Sequence, residues 1–254
     1  MKRLFQIFGA GLLSVGLGFH SRSLAAGPAK VAKDFEADAA GSSPQGLEFA
    51  RTGEGSEGKW IVRVEKGAGK NHVLVQESVD PTDYRFPMAV LKDGLFKDVT
   101  LTVRARPLAG KVDQGFGLVW RYKDAKNYYI TRCNALEDNC TIYHTVDGNR
   151  QAFQNHGVKV ATNTWHTLKV EAVGDHFMVW CDGSKVLDAK DETFKDAGKV
   201  GLWTKADSVI EFDDLAVESA TPILQTVADV PLPSPAVRFD YQSLDQDAHR
   251  ILRA

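Results

Sequence analysis

Residues 164–187 read TWHTLKVEAVGDHFMVWCDGSKVL, and their pattern decides the fold. Apolar and polar residues alternate through Trp165–Val173 and again through His176–Cys181, with Gly174-Asp175 and Asp182-Gly183 closing the runs. A period of two sends one set of side chains to a buried face and the other to water, and the Gly-Asp and Asp-Gly pairs supply turns that fold such strands back on themselves. The same kind of text recurs as NYYITRCNALEDN from Asn127 and as GKVGLWTKADSVIEFDDLAV from Gly198.

Working outward, the rest of the chain reads the same way. Lys97–Arg106 is the cleanest alternator: Val99, Leu101, Val103 and Ala105 face one way, and Thr100, Thr102 and Arg104 the other. In Gly115–Tyr122 the pattern places Phe116, Leu118, Trp120 and Tyr122 on one face and Gly117, Val119 and Arg121 on the other. Asn127–Cys133 and Cys140–Val146 read as a hairpin, and Asp147-Gly148 is a type I′ turn signal into a further strand. In the last strand Leu215 and Val217 are out of phase with Ile210 and Phe212, which a bulge at Asp213-Asp214 would repair. Before these come a first strand near Phe35, the short run LEFAR, and strands at Lys59–Glu65, Val73–Glu77 and Phe86–Leu91. Roughly a dozen short strands with no long helix imply an all-β chain of two packed antiparallel sheets.

The ends differ from the middle. Lys2 and Arg3 open the chain, Leu4–Phe19 is apolar, and Ser23-Leu24-Ala25-Ala26 precedes Gly27-Pro28. That is the layout of a secretory leader cut after Ala25 or Ala26. Residues 1–26 are therefore expected to be a signal peptide and 27–218 the sandwich. The apolar run is shorter than the roughly 20 residues that span a bilayer, so no membrane span is expected after cleavage, and the destination is periplasmic or secreted. Residues 219–254 form a Pro-rich tail with Pro222, Pro231, Pro233 and Pro235, and Asp240–Arg253 reads as a short helix. Such a tail either lies over the sandwich or reaches an envelope protein.

Charge and cysteine usage fit export. Loss of Lys2, Arg3 and Arg22 takes Lys plus Arg from 31 to 28 against 33 acids, a formal charge of about −5. No basic excess remains to hold a phosphate backbone, so nucleic acid is not an expected partner. Cys133 and Cys140 flank the loop Asn134–Asn139 and would clip the hairpin as a disulfide in an oxidising compartment. Cys181, in the apolar run FMVWC, reads as a buried thiol.

The strings GFGLVWRYKDAKNYYITRCNALEDN, TWHTLKV and GKVGLWTKADSVIEFDDL carry a resemblance to the concanavalin A-like lectin/glucanase jelly rolls. Within that superfamily the chain is similar to the bacterial exported proteins of the 3-keto-disaccharide hydrolase type, also described as family 16 glycoside hydrolase-like or laminin G-like domains. The resemblance covers Ala32–Glu218. It implies a jelly-roll sandwich and a function in binding or processing glycans.

True glucanases of family 16 carry a strand reading Glu-x-Asp-x-(x)-Glu, which sets two carboxylates about 5–5.5 Å apart for retaining hydrolysis. This chain has no such strand. Glu211-Phe212-Asp213 is an acid-x-acid pair without the third acid, and Glu36 and Asp38 have the same spacing in the leading segment. No catalytic residue is assigned. Jelly rolls also use acids to pin the first strand to the last through a calcium ion, and Glu36 and Asp213 are placed to do this if those strands pair; the plainer alternative is solvated acids near turns.

Sugar recognition asks for an aromatic plate beside bidentate polar groups. Tyr128, Arg132 and Asn134 share a strand face, Glu137 and Asn139 follow in the loop, and Trp120 and Arg121 lie on the preceding strand. Trp203 ends a strand at a loop and is the tryptophan expected to be exposed. The alternative is a polar network that ties the hairpin to its neighbours, with Trp120 in the core. Three functions follow: an exported non-catalytic glycan or glycoconjugate binder, a hydrolase of the 3-keto-disaccharide type assisted by Glu137 or Asp138, or an envelope assembly partner.

Overall fold

The computed structural model describes residues 30–67, 69–220, 242–245 and 250–253. The expected signal peptide and most of the expected tail lie outside these residues. In chain order the strands are β1 (Lys30–Lys33), β2 (Leu47–Gly53), β3 (Trp60–Val64), β4 (His72–Gln76), β5 (Arg85–Leu91), β6 (Val99–Ala109), β7 (Gly115–Asp124) and β8 (Asn127–Asn134). They continue with β9 (Asn139–Val146), β10 (Asn149–Gly157), β11 (His166–Val173), β12 (His176–Cys181), β13 (Ser184–Lys190), β14 (Lys199–Thr204) and β15 (Val209–Ser219). No helix among the described residues is long and apolar enough to cross a membrane. Near the end, β16 (Gln242–Asp245) and β17 (Arg250–Arg253) pair antiparallel, which replaces the short helix expected there.

Two antiparallel sheets carry the domain, as the alternation requires. One runs β13-β12-β11-β6-β15-β4-β3, with β1 added alongside β15, and the other runs β10-β9-β8-β7-β14-β5-β2. Their inner faces meet in one core. Val99, Leu101, Val103, Leu168, Val170, Phe177 and Val179 come from the first sheet, and Phe116, Leu118, Trp120, Tyr129, Ile142 and Leu202 from the second. This is a two-sheet antiparallel jelly-roll sandwich.

Several local expectations hold. Asp147 and Gly148 both take positive φ, at 49° and 83°, as a type I′ turn demands. Asp214 sits at φ 50° and the β15–β6 register slips between Asp213 and Ala216, so Leu215 and Val217 regain the core. Cys133 faces Cys140 directly across the β8–β9 pair with a Cα separation of 4.1 Å, and the two form a disulfide. That spacing suits two side chains on directly opposed antiparallel residues. Cys181 is buried, and burial, reinforced by Asp182, pushes its thiol up to about 12.

Two expectations change. β1 ends before Phe35, which turns the chain at φ 61° while its ring is buried. In β7, Arg121 takes φ 47° and the register with β8 jumps from Trp120↔Tyr129 to Asp124↔Asn127. This bulge reverses the phase: Tyr122 joins Tyr128 on the outer face, and Arg121 turns inward over the Phe177 ring. Strict alternation cannot show an inserted residue, because one extra position exchanges the faces of everything after it.

Candidate functional site

The outer face of the seven-stranded sheet gathers most of the expected ligand residues. Opposed residues on antiparallel neighbours share a face, so the register fixes the layout. One rung runs Met88–Trp203–Gly117–Arg132–Thr141, and the next runs Val90–Gly201–Val119–Ile130–Tyr143–Ala152. A third joins Tyr128, Thr145 and Arg150. Phe86, Met88, Tyr128, Tyr143 and Trp203 make the apolar floor, and Phe86 stacks on Trp203 with centroids 5.2 Å apart. The sheet curls enough to bring opposite corners together: Tyr84 Oη donates to Gly148 O at 2.8 Å and accepts from the Arg150 N–H at 2.8 Å. Thr52 Oγ1 reaches the Tyr128 hydroxyl at 2.7 Å.

At the other end of the floor lies a charged network. Arg132 Nη1 donates to Asn139 Oδ1 at 2.8 Å and Nη2 to Glu137 Oε2 at 2.7 Å. Asn134 Nδ2 donates to Asp113 Oδ1 at 3.0 Å. Lys205 Nζ sits 3.1 Å from Asp113 Oδ2 and 2.7 Å from Asp83 Oδ1. Glycines make room for this. A Cβ at Gly115 would come within 2.7 Å of Asp113 Oδ1, and one at Gly117 within 2.5 Å of Thr131 O with the Arg132 side chain close by. Asp113 is held in place from behind, since Asp207 accepts the amides of Lys111, Val112 and Asp113.

The two acids differ in character. Burial raises the Asp113 carboxyl, and the charges of Lys205 and Arg132 do not cancel that effect. Glu137 also feels burial, but the hydrogen bond and charge of Arg132 outweigh it and hold the carboxyl below its usual range. Arg150 crosses the floor with its Cζ 4.3 Å from the Phe86 centroid, 4.4 Å from Tyr143 and 5.4 Å from Trp203. Among the described residues ten buried side-chain polar atoms have no hydrogen-bond partner, and six belong to this face. They are Arg132 Nε, Thr141 Oγ1, Thr145 Oγ1, Arg150 Nη1, Trp203 Nε1 and Asp113 Oδ2, the last with only its ion-pair contact to Lys205. Thr145 and Trp203 are turned toward the Tyr128 hydroxyl.

The expected ligand set therefore divides. Tyr128, Arg132, Asn134, Glu137, Asn139 and Trp203 come together on this face. Trp203 is fully buried rather than exposed, because Arg150 and Phe86 cover its ring. Trp120 does not belong here: it packs between the sheets against Tyr129 and Phe177. Arg121 does not belong either. It borders a separate cavity of about 340 Å³, but its Nε, Nη1 and Nη2 donate to the carbonyls of Lys97, Phe194 and Gly174. With those donors engaged it is a cross-link between loops. Arg150, Tyr143, Asp113 and Lys205 were not anticipated. The alternation Thr141-Ile142-Tyr143-His144-Thr145 and the turn before Arg150 were the signals that could have placed the first two.

The acids expected to hold calcium each accept a hydrogen bond from a protein donor. β1 does pair with β15, but Glu36 Oε1 accepts the His72 N–H at 2.8 Å and Asp213 Oδ2 accepts Asn71 Nδ2 at 3.1 Å. Among the described residues, the groups of three or more possible ligands that converge are Cys133–Cys140–Cys181 and His166–Cys181–Asp182, and neither contains Glu36 or Asp213.

Comparison with known proteins places this architecture. The levanase of Bacillus subtilis (strain 168) is 31% identical over 99 residues, a match spanning 38% of this chain and 14% of the levanase. The carbohydrate binding module CBM66 from Bacillus subtilis superposes with a TM-score of 0.55 at 23% identity, covering 67% of this chain and 95% of the module. The GH43 protein BlXynB from Bacillus licheniformis gives 0.53 at 13% identity, covering 74% of this chain and 39% of that one. These two structural likenesses establish the fold. Residues 37–218 match a family through nearly the whole sandwich, and the chain belongs to the 3-keto-alpha-glucoside-1,2-lyase-like domain family.

Proposed function

We propose that this chain recognises a glycan on the outer face of its seven-stranded sheet, at the end where Arg132, Glu137 and Lys205 meet the aromatic floor, and that it does so without breaking a bond. The observation that carries this reading is that Arg132 Nε, Arg150 Nη1 and Thr141 Oγ1 are buried there without partners, beside Tyr143 and Trp203. A buried donor or acceptor left unmade costs about 1–3 kcal/mol, and such groups gather where a ligand supplies the missing half. Sugar rings offer hydroxyls to polar groups and C–H faces to aromatic ones. The partial likeness to a levanase agrees with a glycan partner. The Cys133–Cys140 disulfide supports an oxidising, exported setting.

Titration of the purified chain by calorimetry against a panel of bacterial and plant oligosaccharides tests the reading. Saturable binding that is lost in Arg132→Ala is expected. A flat response across the panel would remove the proposal.

A second reading is favoured by one observation: Asp113 and Glu137 act on the same Arg132, yet one carboxyl is raised and the other lowered. Carboxyls driven apart in this way suit acid and base roles. In a hydrolase of the family type, Asp113 would give a proton to the departing glycosidic oxygen while Glu137 takes one from the water that attacks the anomeric carbon. Turnover of a 3-keto-glucoside that disappears in Asp113→Asn would establish it; no turnover by the unmodified chain would leave binding alone.

A further inference from the structure

Arg132 and Arg150 lie against the same ring, with their Cζ atoms 5.8 Å and 4.4 Å from the Tyr143 centroid. Two guanidinium groups crowd one aromatic side chain, and each is disfavoured by the other's charge. Only Arg132 has a carboxylate, Glu137 at 2.7 Å. Arg150 forms no ion pair among the described residues, and Lys205, the third cation, already serves both Asp83 and Asp113. Apart from Asp113 Oδ2, which faces Lys205, the unpartnered atoms of this corner can all donate. Arg132 Nε and Arg150 Nη1 can only donate, and Thr141 Oγ1, directly opposite Arg132, can donate too. The Arg132 side chain is 5% exposed, so its free Nε is removed from bulk water. What this corner lacks is an acceptor with negative charge. Neutral sugar hydroxyls would satisfy single donors, but they would leave the Arg150 guanidinium charge uncompensated.

We propose that the glycan held here carries a carboxylate, as uronic acid residues do, and that this group seats against Arg132 Nε and Arg150 Nη1 while the ring lies on the Tyr143 side of the floor. Guanidinium groups match carboxylates in geometry as well as charge. The inference rests on the glycan reading above and narrows it.

The test uses the full chain and two matched sets of probes. One set comprises oligomers of galacturonate, glucuronate, and mannuronate or guluronate. The other comprises the same oligomers with each carboxylate reduced to a primary alcohol. At least one acidic oligomer is expected to bind on the order of tenfold more tightly than its reduced form, and the preference should shrink as salt is added. In Arg150→Met that preference should collapse toward unity, and in Arg150→Lys part of it should return, with unfolding midpoints confirming that both variants are folded. Equal affinity for acidic and reduced oligomers, or binding confined to neutral glycans, would overturn the carboxylate while leaving glycan recognition intact. Binding to no oligomer of either kind and to no neutral glycan would overturn both.

Discussion

The two sheets turn chemically different faces outward. On the eight-stranded sheet, Trp165 lies under Arg104 and Arg106, whose Cζ atoms are 4.6 Å and 4.8 Å from its ring centroid. Its Nε1 donates to Glu65 Oε1 at 2.9 Å, Arg106 Nε donates to Glu211 Oε2 at 2.6 Å, and Asn71 Nδ2 bridges Glu65 and Asp213. Each cation has its acid, and each acid has its donors. On the seven-stranded sheet the ingredients are similar, with tryptophan, tyrosine, arginines and acids, but among the described residues Arg150 has no acid and several donors have no acceptor. A network that closes on itself contributes to stability, whereas one left open is a place for something else to bind. Residue types alone do not separate the two, and the pairing census does.

Truncating an arginine on each face gives the sharpest contrast. Arg106→Ala leaves Glu65 and Glu211 close together and largely buried with their shared cation gone. The loss should be about 3 kcal/mol, the scale for breaking a buried pair from one side, read as a lower urea midpoint. Arg150→Met keeps the hydrophobic stem and removes an unpaired charge, so its midpoint should stay within about 1 kcal/mol of the parent while the binding described above weakens. Comparable destabilisation by both substitutions would erase the distinction between the faces.

Removing the clip beside the open face comes next. Cys133→Ser with Cys140→Ser frees a hairpin whose cysteines are seven residues apart. The chain-entropy model puts the cost at about 2.5 kcal/mol. The same variant should weaken ligand binding, because Arg132, Asn134, Glu137 and Asn139 all lie on or beside the clipped loop. A stability loss with unaltered affinity would mean that the Arg132–Glu137–Asn139 hydrogen bonds position the site unaided.

Much of this is legible in the sequence, and the division is physical. Period-two text at Trp165–Val173 and Lys97–Arg106 placed those strands, and the phase slip at Leu215 announced a bulge, because burial writes itself into alternation. The Arg121 bulge was illegible because nothing after Tyr122 in β7 is apolar enough to reveal the slip. Trp203 was misjudged because exposure depends on what covers a side chain. Its cover, Arg150, comes from a strand fifty-three residues earlier in sequence. Asp113 and Lys205 were invisible as site residues for the same reason: their meaning lies in long-range pairs.

On the closed face, Trp165→Phe retains most of the ring and both arginine contacts but deletes the indole N–H. Glu65 then loses one charged hydrogen bond, a change of about 1.5 kcal/mol. Burial alone would raise the Glu65 carboxyl, and the Trp165 and Asn71 hydrogen bonds with the Arg106 and Arg104 charges hold it low instead. Acid sensitivity should shift accordingly: a carboxyl held low contributes stability above its ordinary pKa that is lost as pH falls, and Trp165→Phe should begin losing it at higher pH than the parent. Indistinguishable acid limbs in parent and variant would show that the indole N–H does not support Glu65.

The smallest effect is a slope, and its sign separates Asp113 from Glu65 across the two faces. Asp113 is raised by burial, so between the ordinary carboxyl value of 3.8 and its folded value the native chain holds a proton that the unfolded chain has released. Stability from this group is therefore greatest below 3.8 and declines as pH rises through the window, opposite to Glu65 and to Glu77, which burial would raise but Lys59 and Arg63 hold low. Asp213 on the closed face is also raised by burial, so Asp113→Asn should remove part of the decline and leave the rest. Asparagine keeps a carbonyl for Asn134, and Lys205 keeps Asp83, so the fold should survive the change. Urea midpoints measured across the mildly acid to neutral range decide the matter. An unchanged slope in the variant would mean that Asp113 is ionised in the folded chain at neutral pH, paired with Lys205, and that the proton assigned to it in the acid–base reading is absent.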